Sequence, residues 1–272
     1  MKFLRNASAA ALILVLAASP ARTEPLAPTA KWRVDFGDTQ CIAMRDYGSA
    51  EKPLFLMFRP APLGDVMQVT VLRPRASKDI DQYRGTMRID GGTAVPISVL
   101  GFPSPSGKDR ISSINLPMRS FEAVRNATTL RLQSGGEFDY EFTLTQMAAV
   151  SRTLDQCSQT LRVAWHIGAA ASAIRQDARS KVPLPRLFSS DDYPTVALNT
   201  EAVGMVELMT LIDEAGNVAS CMVIGTSGYA SLDAQSCAIV RNRAKFHPAI
   251  GKDGKPVRSG LIQRIRWDVP LL

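Results

Sequence analysis

Histidine is the scarcest residue of this 272-residue chain, with only His166 and His247 present. Four cysteines accompany them, yet no Cys-x-x-Cys pair exists, so the usual ligand spacing of a structural zinc site is missing. His247 has no second ligand at a useful distance in sequence and reads as a structural or exposed residue. No phosphate-binding glycine loop, metal cluster or nucleophile–base pair stands out. Gly225-Thr226-Ser227-Gly228 lacks the Gly-x-Ser-x-Gly spacing of a nucleophile elbow, and neither histidine has an orienting carboxylate nearby in sequence. These gaps argue against an enzyme, and neither cofactor nor metal is expected.

Long apolar runs are missing too. The run Ala9 to Ala18 is shorter than the roughly 20 residues a membrane-spanning helix needs. With Lys2 and Arg5 before it and Ser19-Pro20-Ala21 after it, the run has the form of a cleavable secretory signal over residues 1–21. The mature chain is then expected to be exported to the periplasm without a transmembrane span. An uncleaved segment anchored in the inner membrane is the alternative. Nucleic acid is not an expected partner, because export and the lack of basic–aromatic interleaving both oppose it.

What is present is an ordinary globular composition, 46% hydrophobic and 21% charged, in a chain long enough for two modest cores. In an exported protein the cysteines are expected to be bridged. Of the three connectivities four cysteines allow, Cys41 with Cys157 and Cys221 with Cys237 keeps each bridge inside one half of the chain. The formal charge of +7 is unevenly spread. Between Arg241 and Arg266 stand Arg243, Lys245, Lys252, Lys255, Arg258 and Arg264, with Asp253 the one acid among them. Such a strip would favour an anionic partner surface such as peptidoglycan or lipid headgroups, or else form a solvated face.

From residue 31 to 168 the pattern is strand-rich. Period-two alternation marks strands at 31–36, 53–59, 66–72, 85–89, 94–100, 110–116, 128–133 and 138–145, punctuated by Gly, Pro and Asp. This predicts a sandwich or small barrel. A short helix is expected from Pro117 to Asn126, with proline in its first turn. A longer one is expected from Gln146 to Ile167, where Met147, Val150, Leu154, Cys157, Leu161 and Trp165 form one apolar stripe. Residues 169–180 continue that helix or fray. The alternate prolines of residues 181–187 then form a linker, since proline and its predecessor both disfavour helix.

Residues 188–272 form a second domain. Asp191 and Asp192 before Tyr193-Pro194 read as helix caps. A strand from Met205 to Asp213 and one from Val218 to Ile224 flank a turn in which Gly216 supplies positive φ. Ser231 is expected to cap a helix from Leu232 to about Ala244, with Asp233 in its first turn favoured by the dipole. A last strand runs from Leu261 to Val269; Leu261, Ile265, Trp267 and Val269 share one side with the polar exception Gln263, opposite Ile262, Arg264 and Arg266.

The series Asp192-Tyr193-Pro194, Gly204 to Val218, Thr226-Ser227-Gly228 with Leu232-Asp233, Phe246-His247-Pro248-Ala249 and Gly254-Lys255-Pro256-Val257 resembles the C-terminal domain of the TonB energy-transducer family. That resemblance implies an α+β fold for the tail: a three-stranded antiparallel sheet with a covering helix. It also implies a place in the Gram-negative envelope and capture of an extended segment of an outer-membrane receptor, or another envelope protein, by β-strand addition. Carried onto this chain, the docking strand is the last one, and Leu261, Gln263, Arg264, Ile265, Arg266 and Trp267 are the expected partner-binding residues. The short spacer and cleavable amino end differ from the long Pro-rich spacer and retained helix of the transducers.

Overall fold

The structure, a computed structural model, describes residues 24–75, 79–104 and 106–270. The expected signal segment, 1–21, lies outside the described residues.

Nine strands form the first sheet: β1 Arg33–Phe36, β2 Cys41–Asp46, β3 Phe55–Pro60, β4 Val66–Pro74, β5 Asp81–Ile89, β6 Val95–Pro103, β7 Asp109–Pro117, β8 Thr129–Ser134 and β9 Phe138–Thr143. Their spatial order is β1-β2-β3-β4-β7-β6-β5-β8-β9, antiparallel throughout. Alternation puts Cys41, Ala43, Leu56, Phe58, Val69 and Val71 on one face, where all are fully buried. The sheet curls around that face until its ends meet. Leu26 pairs with β9, its N–H donating to the Glu141 carbonyl at 2.6 Å, while the Tyr47 hydroxyl donates to the Thr143 carbonyl at 2.9 Å. Arg45 and Trp32 both donate to the Thr145 carbonyl.

Each of the eight expected strands is present, and β2 is an addition. Its inward positions are Cys41, Ala43 and Arg45, so a small residue and a charged one blunt the alternation that marks a strand. The expected first helix is split into α1, Met118–Phe121, and a 3₁₀ turn over Glu122–Asn126. Helix α2, Met147–Ala164, fills the interior of the curl with Met147, Val150, Leu154, Cys157 and Leu161. Cys157 is bridged to Cys41 with 5.9 Å between their Cα atoms, so helix and sheet are stapled together.

Helix α2 stops before the expected Ile167, because His166 (φ 50°) and Gly168 (φ 63°) turn the chain into the left-handed region. A helical continuation over 169–180 is therefore corrected. After a 3₁₀ turn at Gly168–Ala173 come two short strands, β10 Ile174–Gln176 and β11 Arg179–Ser180. They pair with segments far along the chain, so no local pattern announces them.

The tail contains α3 Thr195–Leu198, β12 Gly204–Ile212, β13 Val218–Gly225, α4 Ala230–Arg243, β14 Phe246–His247, β15 Ala249–Gly251, β16 Pro256–Val257 and β17 Ser259–Trp267. Strand β10 pairs with β15 and β11 with β14, tying residues 174–180 to the tail. The main sheet has the order β13-β12-β17. One face, with Val206, Leu208 and Ile212, packs with Leu232, Ile239 and Val240 of α4. The other face, with Met209 and Leu211, joins the core of the first half beside Ile167 and Trp165. The tail sheet is thus covered on both sides, by its own helix and by the curled sheet.

Candidate functional site

Strand β12 reaches Ile212, and the turn that follows is set by Asp213, whose carboxylate accepts from the N–H groups of Ala215 and Asn217 at 3.0 and 2.7 Å. Gly216 adopts φ 82°, and its carbonyl accepts the N–H of Phe246 at 2.9 Å. This geometry excludes a side chain, since a Cβ there would strike the Phe246 carbonyl. The hairpin returns as β13, where Cys221 is bridged to Cys237 of α4, Cα atoms 5.7 Å apart. Helix, hairpin and bridge make one rigid block.

Helix α4 begins at Ala230, ahead of the expected Leu232, and Ser231 is not its cap. Asp233 takes over the start. Its buried carboxylate accepts from the Thr226 hydroxyl at 2.5 Å and from the N–H and hydroxyl of Ser227 at 2.8 and 2.7 Å. Burial raises the Asp233 pKa, and those bonds partly offset the rise. Ser227 is consumed in this turn.

Asp192 also departs from expectation. It caps the 3₁₀ turn Ser190–Asp192, accepting the Ser189 N–H at 2.8 Å, whereas α3 starts at Thr195 after Pro194, without a side-chain cap. The carboxylate is drawn there by Arg243 at the end of α4, whose two terminal nitrogens donate to its two oxygens at 2.6 Å each. That fork, with the Ser189 bonds adding to it against the cost of burial, lowers the Asp192 pKa to about 2. Arg243 also donates to the Leu187 carbonyl at 2.9 Å. Residues 184–193 are thereby clamped alongside β17.

Trp267 anchors the other side of the clamp. Its indole N–H donates to Ser236 Oγ at 2.8 Å, and Phe188 and Tyr193 meet its ring edge-to-face at 5.5 and 5.4 Å between centroids. The Tyr193 hydroxyl donates to the Ala202 carbonyl. Between this aromatic cluster and β17 runs an open groove of about 560 Å³, lined among others by Leu184, Pro185, Phe188, Ile265 and Trp267.

Strand β17 divides its side chains as its alternation predicts. Gln263, Ile265 and Trp267 are buried and Leu261 is half-buried, while Ile262, Arg264 and Arg266 are exposed. The buried Gln263 is satisfied by the Thr210 hydroxyl, which donates to its Oε1 at 3.3 Å. Arg264 pairs across the strands with Glu207 at 2.6 Å, and Arg266 with Asp268 at 2.9 Å. Arg243 and Arg258 have Asp192 and Glu214 as partners. Four of the eight cations in the basic strip are therefore matched by acids from outside the 241–266 window, and the strip is less positive than its sequence.

The two edges of the tail sheet differ. On β13 the Val223 carbonyl accepts from Asn115 Nδ2 of β7 at 3.0 Å, and at the start of α4 the Ala230 N–H donates to Gln82 Oε1 of β5 at 2.8 Å. On β17 the sheet ends, and among the described residues no backbone group pairs with its outer side. The clamp residue Phe188 and the edge-blocking Asn115 carried no site signal in the sequence; Arg243 was marked only as part of the basic strip, and Tyr193 as part of the Asp-Tyr-Pro segment.

Sheet, covering helix and one free edge define a compact α+β module. Residues 189–269 match the family model described as the Gram-negative bacterial TonB protein C-terminal domain. No curated protein and no solved structure matches the chain. A domain of this family implies a Gram-negative envelope protein, and it is a binding and transducing domain rather than a catalytic one. Among the described residues no helix is long and apolar enough to cross a membrane.

Proposed function

We propose that the chain is an exported periplasmic protein whose tail captures an extended segment of an outer-membrane receptor or another envelope protein by adding it as a strand beside β17. One observation carries the reading: of the two edges of the tail sheet, β13 is engaged by the first half of the chain through Asn115, and β17 has no backbone partner among the described residues. An unpaired strand edge offers a row of N–H and C=O groups, which supply affinity without regard to sequence. Specificity would come from the groove at Phe188, Tyr193 and Trp267, which fits an apolar side chain of the guest. Arg264 and Arg266, already paired with Glu207 and Asp268, would act mainly against self-association.

Attachment to peptidoglycan or anionic lipid through the basic strip is the weaker reading, because half of its cations are neutralised within the chain. The rigid packing of the tail on the first half favours a fixed platform rather than a domain on a long tether. Coupling to transport across the outer membrane remains part of the proposal through the family match alone.

The test is titration with synthetic peptides from the amino-terminal segments of outer-membrane receptors. Backbone groups along an antiparallel strand alternate between its two neighbours. Proline at 264 or at 265 therefore removes one outward N–H. The variant that removes it is expected to lose peptide binding while the chain stays folded, with a lower melting temperature where the buried Ile265 is the residue replaced; tight binding by both variants would refute the edge assignment.

A further inference from the structure

A second cavity lies away from β17, between the curled sheet and the tail. Its floor is a row of polar side chains set by strand register: Arg59 on β3 opposes Gln68 on β4, which opposes Asn115 on β7. Leu100 and Ser113 pair beside them. The roof is the tail, with Met222, the Cys221–Cys237 bridge and Arg241 of α4. Where the halves meet at Ala61, Val66 and Met222 the contact is apolar and closed. Next to it the halves stand apart around a cavity of about 480 Å³ with a polar floor.

Two guanidinium groups face this space. Arg59 is half-buried, and Arg241 is exposed at the rim. Neither side chain has an ion pair or hydrogen bond with any described residue. Elsewhere the shielded arginines each have a partner: Arg73 pairs with Glu137, Arg110 with Asp81, and Arg45 donates to Thr145. The acid that also lines the cavity, Asp233, is spent on Thr226 and Ser227. Burial, and secondarily the nearby Arg241, lower the Arg59 pKa, although a guanidinium stays charged at neutral pH. A guanidinium shielded from water without a counter-charge, with a second like charge at the rim beside it, destabilises the fold, and an unpaired charge lining a cavity is a candidate functional group.

We propose that this cavity binds a small anion, a carboxylate or phosphate with an apolar body, its head held between Arg59 and Arg241. Guanidinium groups match both heads by forked, charge-assisted hydrogen bonds. Leu100, Phe102 and Met222 supply the apolar wall, and the volume is that of an ordinary small-molecule site. The site is separate from the β17 edge, so either can fail without the other.

The test is calorimetric titration of the full mature chain with decanoate, decyl phosphate and inorganic phosphate. The two amphiphiles are expected to saturate near one equivalent. Arg59→Gln and Arg241→Gln should each raise Kd at least tenfold, and Arg152→Gln, on the exposed side of α2, should leave it unchanged. Inorganic phosphate is expected to bind more weakly; equal affinity would overturn the apolar part and point to a free soluble anion in place of a lipid-derived one. Without ligand, Arg59→Gln should hold or raise the melting temperature, because it removes the repulsion. No saturable binding, a Kd indifferent to both substitutions, or a melting temperature lowered by Arg59→Gln would overturn the assignment.

Discussion

The clamp between Asp192 and Arg243 decides whether the groove beside β17 exists, and its strength can be worked out. Four hydrogen bonds converge on the Asp192 carboxylate, two from Ser189 and two from Arg243. Hydrogen bonds to a charged group contribute about 1.5–3 kcal/mol when shielded. Arg243 is 48% exposed, so water screens the pair and about 1 kcal/mol of coupling is the reasoned value. Asp192→Asn, Arg243→Gln and the double variant, unfolded in urea, form a cycle that isolates this term. Each single change should lower the melting temperature by about 2–4 °C. The pH dependence has a definite sign. The Asp192 pKa is lowered from 3.8 to about 2 in the folded chain, so its contribution is fully present above pH 4 and is lost as pH falls toward 2. Asp192→Asn should remove that portion of the acid sensitivity. A coupling below about 0.3 kcal/mol, or parallel pH profiles for the two proteins between pH 4 and 2, would refute the reasoning.

Replacing Cys221 and Cys237 by alanine should cost about 3 kcal/mol, read as a lower urea midpoint, because the bridge closes a short loop. Gly216→Ala forces a side chain into a left-handed position against the Phe246 carbonyl and should destabilise by more than about 1 kcal/mol; an unchanged melting curve would contradict the turn geometry. Met209→Ala opens a void between the tail sheet and the first half and should cost about 3 kcal/mol, in a transition expected to be single for both halves by calorimetry. Two separated transitions, with only the tail affected, would contradict the shared core.

Period-two alternation exposed eight strands of the first half because each has consecutive apolar positions on one face, and it missed β2 because Arg45 occupies an inward site there. In the tail, Gly216 and the alternation of β17 were legible locally, since both depend only on neighbours in sequence. The short strands β10 and β11 were not, as their partners lie at Phe246–Gly251. The same holds for the edge: that β13 is engaged depends on Asn115, more than a hundred residues away along the chain. The partial neutralisation of the basic strip was hidden for a related reason, because Asp192, Glu207 and Glu214 meet it only after folding.

Hydrogen exchange resolved to single amides of β17 tests the central claim most directly. In the free protein, amides bonded to β12 should exchange slowly and the alternate, outward amides from Ser259 to Trp267 rapidly. Adding a receptor-derived peptide should slow the outward set selectively. If those amides are already protected without peptide, or stay fast while the peptide is bound, the strand-addition account is wrong.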